Sequence, residues 1–196
     1  MGNFDWIHKK LPHYIGFYSF YITFYVGVFL LVYPKLRANL LSYYVIFYLI
    51  SSILVKILKP IIKQPRPANP NNTIISESLD NEEKYGMPSG HATAVFYCIS
   101  FLYWAEFLTP ELLWLFAFIA CFMYYQRWIN NRHTIQQLFA GSCFGFAFGW
   151  LAVYLSKKWR FEFMNDSNFI NLPIFGEKDE TVGFDKIDMK TMSVDI

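Results

Sequence analysis

Charged residues are scarce in this chain of 196 residues. Asp, Glu, Lys and Arg make up 16% of it, whereas they are about a quarter of an ordinary soluble domain. This scarcity argues against a soluble globular protein. The formal net charge is only +2, and no basic stripe alternates with the aromatic residues, so nucleic acid is not an expected partner. Membrane lipid is the partner that the composition favours.

Cysteine is also scarce, with three residues in the chain. Cys98, Cys121 and Cys143 all lie within apolar runs, with no Cys-x-x-Cys motif and no Cys/His pairing at zinc spacing. We expect them to be small core residues, since free cysteine usually behaves as a small hydrophobe. A disulfide, redox or zinc-binding role is therefore not expected.

The chain has long uncharged runs in place of charge. A bilayer core takes about 20 helical residues, and runs of roughly 17 to 25 indicate membrane spans. The run at residues 112–126 is shorter, but Thr109-Pro110 gives it a helix start, and Glu111 and Arg127 can lie in the interfaces. The sequence predicts an all-α membrane bundle with about five transmembrane helices. The uncharged runs are residues 11–34, 38–55, 85–105, 112–126 and 133–156.

The runs divide the chain into an N-terminal segment, residues 1–13, a membrane-embedded domain, residues 14–156, and a polar tail, residues 157–196. The first run is too long for a cleavable signal core and should remain as an anchor. Within the domain, residues 59–87 form a polar loop, and loops of this length are often functional. The expected helices run from 14 to 33, from 39 to 58, from Pro88-Ser89 to near Leu108, from Pro110 to Tyr125 or Gln126, and onward from near His133.

Successive spanning helices cross the membrane in opposite directions. The end of helix two, the start of helix three and the connection between helices four and five are therefore expected on one membrane face. Lysine and arginine at helix ends can merely snorkel to the head groups, but ionisable groups near bilayer depth are by default functional candidates. Three cations suit an anion with several oxygens, of which phosphate is the obvious candidate. Two histidines add a nucleophile or base and an acid. The functional candidates on this face are Lys59, Arg66, His91, Arg127 and His133.

These residues lie in three motifs. The set resembles the three-part signature of the type 2 phosphatidic acid phosphatase superfamily of integral-membrane lipid phosphatases. The motifs are Lys59-(six residues)-Arg66-Pro67, Pro88-Ser89-Gly90-His91 and Arg127-(five residues)-His133.

The resemblance implies a role for each motif residue. His133 would attack phosphorus and form a phosphohistidine, and His91 would protonate the leaving oxygen. The phosphoryl oxygens would be bound by Lys59, Arg66, Arg127, Ser89 and Gly90. Backbone N–H groups at the Ser89-Gly90 helix start fit this role, because helix N-termini attract phosphate. Nothing in the scheme requires a metal or another cofactor.

Two glutamines depart from the general family pattern. Gln126 precedes Arg127 where the family usually has serine, and Gln137 stands four residues after His133 where it usually has aspartate. Residues four apart share a helix face, so we expect Gln137 to accept the ring N–H of His133 and to fix its tautomer. An amide offers no negative charge to stabilise the imidazolium, so a less activated nucleophile is expected.

The pattern His133-Thr134-x-x-Gln137 is nevertheless similar to the one in the dolichyl-diphosphatase branch of the superfamily. Gly90 departs from that branch, which typically has a second serine there. The other residues that look like the branch are Gln64-Pro65-Arg66-Pro67 and Gly86-Met87-Pro88-Ser89.

The resemblance implies hydrolysis of a polyprenyl diphosphate such as dolichyl diphosphate, which recycles the lipid carrier of N-glycosylation. It also implies the endoplasmic reticulum membrane with the site facing the lumen. Charge does not decide the orientation, because the basic residues outside the motifs are balanced between the two faces. One alternative is a broader phosphatase for phosphatidate and other glycerolipid phosphates. Another, motivated by Gln126 and Gln137, is a catalytically weak protein that binds lipid phosphates.

Two features concern packing and lipid contact. Gly141, Gly145 and Gly149 form overlapping Gly-x-x-x-Gly steps, which permit close helix contact in lipid. A homodimer would satisfy this spacing, but we expect packing within the chain, because the site needs close approach around His133. The aromatic residues, 21% of the chain, are expected at membrane interfaces and in the core rather than in a groove for an isoprenoid chain.

Overall fold

Five α-helices form the computed structural model of the chain, which describes residues 3–33, 35–69 and 84–159. The described residues contain no β-strand beyond an isolated bridge between Pro65 and Tyr85. The predicted all-α architecture is therefore confirmed. The middle of the polar loop, residues 70–83, and the tail from residue 160 onward lie outside the described residues. The helices are α1 (Asn3–Val32), α2 (Ala38–Ile62), α3 (Gly90–Trp104), α4 (Pro110–Ile129) and α5 (Ile135–Lys158).

Four of the five helices are long and apolar enough to cross a bilayer, so the chain is a multi-pass helical membrane bundle. The candidate spans are Lys10–Val32, Ala38–Ile62, Pro110–Ile129 and Ile135–Lys158. The exception is α3, which has 15 residues and is about 22 Å long, less than the ≈ 30 Å hydrocarbon core. The uncharged run that predicted a third span is long enough, but Tyr85 to Ser89 lie in the loop before the helix.

Helices α1 and α2 extend further than the sequence predicts. The candidate span starts at Lys10, yet α1 begins at Asn3 and includes Pro12. Charged residues mark the end of an apolar run, but they do not prevent the helix from continuing beyond it. The expected N-terminal segment is thus helical from Asn3. Likewise α2 continues through Pro60, whose fixed φ is already helical, and ends at Ile62.

The glycines of α5 pack this helix against α3. A Cβ added at Gly141 would lie 2.5 Å from the carbonyl oxygen of Ser89, and one at Gly149 would lie 2.6 Å from that of Tyr97. At Gly145 it would meet the backbone of Thr93 at still shorter range. These glycines allow contact between the two backbones, as in other small-residue helix pairs. The expected packing within the chain is therefore confirmed.

Aromatic side chains account for much of the remaining core. The ring of Tyr44 on α2 lies 5.5 Å from Phe24 of α1 and 5.0 Å from Phe101 of α3. The Tyr97 hydroxyl donates a hydrogen bond to the carbonyl oxygen of Tyr44 at 2.9 Å. Aromatic rings prefer such offset and edge-to-face contacts. The cluster packs α1, α2 and α3 against one another.

Candidate active site

The motif residues come from helix ends that meet at one end of the bundle. Lys59 lies in the last turn of α2, Arg127 lies in the last turn of α4, and His91 lies in the first turn of α3. The sequence prediction placed Lys59 and Arg127 beyond their helices, but both helices run on, to Ile62 and Ile129. Cations are favoured in the last turn because the helix dipole is negative there. Lys59 and Arg127 are both buried, with 8% and 2% of their surface exposed.

The connection between α4 and α5 brings Arg127 next to His133. The N–H groups of Arg132 and His133 both donate to the Arg127 carbonyl oxygen, at 3.0 and 3.3 Å. Asn131 takes the left-handed conformation, with φ of 51°, which turns the chain back at the end of α4. His133 is consequently buried and lies outside both helices.

Helix α5 begins with a capping box in which Gln137 is the third residue. The Thr134 hydroxyl accepts the N–H of Gln137 at 3.2 Å, and the Gln137 Oε1 atom accepts the N–H of Thr134 at 3.2 Å. Thr134 and glutamine three residues later are the side chains that this motif requires. The expectation that α5 begins near His133 is therefore off by two residues, since Thr134 provides the cap and the helix begins at Ile135.

The expected contact between Gln137 and His133 is present, although for a different reason. The Oε1 atom of Gln137 lies 3.2 Å from Nδ1 of His133. Because His133 precedes the helix, the two residues do not share a helix face, and the capping box brings the amide to the ring. The amide oxygen accepts, so Nδ1 carries the proton and Nε2 keeps its lone pair.

Gln137 also contacts the other two motifs. Its Nε2 atom donates to the carbonyl oxygen of Pro65 at 2.8 Å, and its own carbonyl oxygen accepts the N–H of Ser89 at 3.1 Å. Gly86 leaves room for the amide, since a Cβ there would lie 2.7 Å from Cδ of Gln137. With no surface exposed, Gln137 joins the three motifs into one unit.

The loop segments of motifs one and two also pair directly. The N–H of Gly86 donates to the carbonyl oxygen of Gln64 at 2.9 Å, beside the bridge between Pro65 and Tyr85. Arg66 follows this bridge and donates through Nη1 to the carbonyl oxygen of Arg132 at 3.3 Å. Arg66 is thereby held against the connection that carries His133.

Ser89 is the N-cap residue of α3, and its backbone N–H is already paired, whereas the sequence predicts that this N–H is available to an anion. Its hydroxyl makes no capping hydrogen bond, and its backbone N–H is taken by Gln137 rather than left for an anion. The hydroxyl oxygen is fully buried and has no hydrogen-bond partner among the described residues. Leaving a buried polar group unpaired costs roughly 1–3 kcal/mol. The hydroxyl is thus the part of Ser89 that suits a phosphate oxygen.

His91 and Arg127 are hydrogen-bonded to each other through Nε2 and Nη2. Two aromatic rings of α1 cover the pair. Phe17 lies under the Arg127 guanidinium, with Cζ 5.4 Å from the ring centroid, and Phe20 meets the His91 ring edge to face at 4.6 Å. Helix α1 therefore forms a wall of the site.

The electrostatic environment of His133 is positive. Burial lowers the pKa of His133 well below its ordinary value, and the charges of Arg66, Arg127 and Lys59 act in the same direction. The hydrogen bond to Gln137 opposes them. His133 is therefore neutral at pH 7, as a nitrogen nucleophile must be. A bound polyanion would offset the repulsion among the three cations.

Several residues at this end of the bundle were not predicted from the sequence. Phe17 and Phe20 have no local motif and are two aromatics among many. His13 of α1 lies 3.4 Å from the Asn130 amide, and it too has no motif around it. Gln126, which departs from the general family pattern, lies buried beside Gly16 of α1. A larger residue at position 16 would collide with the backbone of Phe122, which is a signal that only the structure reveals.

The fold and the site define a multi-pass helical membrane protein that brings His91, His133, Lys59, Arg66 and Arg127 together at one end of its bundle. The family model of the PAP2 superfamily matches residues 40–161, and the chain belongs to this superfamily. Members are phosphatase hydrolases, and membership indicates a lipid phosphatase activity. The match does not include α1. No curated protein and no solved structure matches the chain.

Proposed function

We propose that the protein hydrolyses a polyprenyl diphosphate to the monophosphate and inorganic phosphate, with His133 as nucleophile and His91 as acid and base. The observation that carries the proposal is the hydrogen bond from His133 Nδ1 to the Gln137 amide oxygen. It directs the lone pair of Nε2 away from Gln137 and leaves it available for attack. The cations that surround His133 favour an anionic substrate.

The first step forms a bond between Nε2 of His133 and the terminal phosphorus, while the bond from phosphorus to the bridging oxygen breaks. The polyprenyl monophosphate leaves with a proton from His91. Arg127 donates to Nε2 of His91 in the structure, so this nitrogen carries no proton there. On substrate binding Arg127 would move to a phosphoryl oxygen, and Nε2 of His91 would take up a proton from water beside the polyanion, which is the proton that it then gives to the leaving oxygen. Lys59, Arg66 and the Ser89 hydroxyl would stabilise the charge on the equatorial oxygens, as such donors do in other phosphoryl transfers.

The second step hydrolyses the phosphohistidine. Water attacks phosphorus, the bond to Nε2 of His133 breaks, and inorganic phosphate leaves. His91, deprotonated in the first step, takes the proton of the water, so both histidines return to their state at the start of the first step. Gln137 holds the His133 ring through both steps. We place this activity in the endoplasmic reticulum membrane with the site facing the lumen, where it would return dolichyl phosphate to N-glycosylation.

Phosphate release by the purified protein in detergent tests the proposal, with dolichyl diphosphate and phosphatidate as separate substrates and a chelator in parallel samples. We expect release from dolichyl diphosphate that does not depend on metal, and none from His133→Ala. Trapping of acid-labile radioactive phosphate on wild type but not on His133→Ala would identify the intermediate. Faster phosphate release from phosphatidate than from dolichyl diphosphate would contradict the proposed substrate. Activity in His133→Ala would contradict the assignment of His133 as the nucleophile.

A further inference from the structure

An apolar groove of about 510 Å³ lies between α3 and α4. Its volume is within the range of roughly 300–1,000 Å³ that is usual for small-molecule sites. Small side chains keep it open, since Ala117, Ala120 and Cys121 all lie along it. The lining residues are Phe96, Ile99, Leu113, Ala117, Ala120, Cys121 and Tyr124.

The groove continues the face of α4 that carries Arg127. Its α4 residues Leu113, Ala117, Ala120 and Tyr124 follow one another at steps of four, three and four, and Arg127 follows Tyr124 at a step of three. Residues at these steps lie on one side of a helix. The stripe from Leu113 to Arg127 is about 21 Å long, most of the hydrocarbon thickness of a bilayer.

The end of the groove nearest the site is formed by Tyr124 and Phe96. Their rings lie 6.2 Å apart, and the Tyr124 hydroxyl is 2.7 Å from the Ser142 Oγ atom on α5. The tyrosine therefore turns its polar atom toward α5 and its ring toward the groove. On α3, both Phe96 and Ile99 lie deeper along the helix than His91. The groove thus leads away from the site along both helices.

We propose that this groove binds the polyprenyl chain of the substrate whose diphosphate lies at Arg127 and His133, an inference that rests on the proposed function. A lipid phosphate places its charged group and its hydrocarbon chain on one molecule, and here one face of α4 offers a cation followed by an apolar channel. We assign the groove to an isoprenoid chain because the proposed function places a polyprenyl diphosphate at Arg127, and the groove follows the same face of α4.

Filling the groove tests the proposal by kinetics. Ala117 is exposed within the groove, and Ala147 is an exposed alanine of α5 outside it. We expect Ala117→Phe to raise KM for geranylgeranyl diphosphate by about tenfold, the effect of displacing about two buried methylene groups. KM for isopentenyl diphosphate, which has the same head group and almost no chain, should not change. Ala147→Phe should leave both values unchanged.

Alkylation of the native thiols tests binding without catalysis. Cys121 lies in the groove, Cys143 is exposed elsewhere, and Cys98 is buried. We expect polyprenyl monophosphate to slow the reaction of Cys121 with a maleimide in detergent, and to leave Cys143 unaffected. Equal slowing by phosphatidate would overturn the choice of an isoprenoid chain. The thermal unfolding of Ala117→Phe shows whether the variant folds.

The two measurements separate the groove from the reaction. Slowed alkylation of Cys121 in a protein that hydrolyses no diphosphate would support the groove and contradict the proposed function. The opposite result would be hydrolysis of the diphosphate, an unchanged KM in folded Ala117→Phe, and no protection of Cys121 by polyprenyl monophosphate. It would contradict the groove as the chain-binding site and leave the proposed function standing. Equal slowing at Cys121 and Cys143 would indicate general contact with lipid and would also contradict the groove.

Discussion

At the residue scale, Gln137 explains why an amide can stand where the general family pattern has a carboxylate. Its oxygen accepts from the His133 ring and from the Thr134 backbone, and its nitrogen donates to the Pro65 carbonyl oxygen. A carboxylate could accept both hydrogen bonds, but it has no proton for Pro65. The departure from the pattern therefore matches the surroundings of the residue.

The orienting role of Gln137 is testable with Gln136 as the matched control, since Gln136 is exposed and adjacent. Gln137→Ala should lower kcat by about 10² with little change in KM, because the ring of His133 loses its orientation and its fixed tautomer. Gln136→Ala should behave as wild type. Steady-state phosphate release measures both values. An unchanged kcat in Gln137→Ala would mean that the amide does not orient His133.

The donor role of the same amide is tested by Gln137→Glu. The variant keeps an acceptor for His133 but sets a carboxylate oxygen against the carbonyl oxygen of Pro65, at the position where Nε2 now donates at 2.8 Å. We expect a loss of roughly 1–3 kcal/mol in the free energy of unfolding, observed as a lower thermal unfolding temperature in detergent. Unfolding like that of wild type would show that the hydrogen bond to Pro65 contributes nothing.

At the element scale, α1 lies wholly outside the residues that match the family, and yet it contacts two of the proposed site residues. Gly16 allows α1 to approach the backbone of Phe122 on α4, which places Phe17 and Phe20 against Arg127 and His91. The helix is thus part of the site as well as a membrane anchor.

Replacement of Phe17 tests this role of α1. A cation–π contact is worth about 0.5–2 kcal/mol, so Phe17→Leu should lower kcat/KM by roughly two- to thirtyfold. Phe29→Leu is the control, because Phe29 is on the same helix and 59% exposed. Equal effects of the two replacements would show that α1 serves only as an anchor.

The contact between α3 and α5 provides a second test at this scale. Gly145→Val would place side-chain atoms against the backbone of Thr93 and Tyr97, so the two helices must separate. Since α3 carries His91 and α5 carries Gln137, we expect lower thermal stability together with lost activity. Ala147→Val, at an exposed position of α5, should change neither property. Normal stability in Gly145→Val would contradict the close backbone contact between α3 and α5.

At the scale of the whole molecule, the sequence predicts the helices better than their ends. Uncharged runs locate all five helices because apolar length is a local property of the chain. The ends of α2 and α4 are misplaced because Lys59 and Arg127 look like boundary charges, although the folded bundle buries both of them in a shared site. Sequence motifs likewise identify the two histidines, whereas the position of Phe17 depends on how α1 packs and has no local signal.

The charge of the assembled site also predicts how stability depends on pH. The pKa of His133 is lowered in the folded protein by burial and by Arg66, Arg127 and Lys59, while the unfolded chain has the ordinary value of about 6.5. Below pH 6.5 the unfolded state therefore binds more protons at His133 than the folded state does. The contribution of His133 to the free energy of unfolding is therefore fully present above pH 6.5. It decreases as the pH falls below this value, by up to about 1.4 kcal/mol per pH unit.

Thermal unfolding of wild type and His133→Asn between pH 7.5 and 5 measures this contribution. The variant should lose less stability than wild type over the interval, because carboxylates and His91 titrate in both proteins and only His133 differs. Inorganic phosphate should reduce the difference, since a bound anion favours protonated His133 and offsets the charge of the three cations. Parallel curves for the two proteins would mean that His133 is not held neutral by the site.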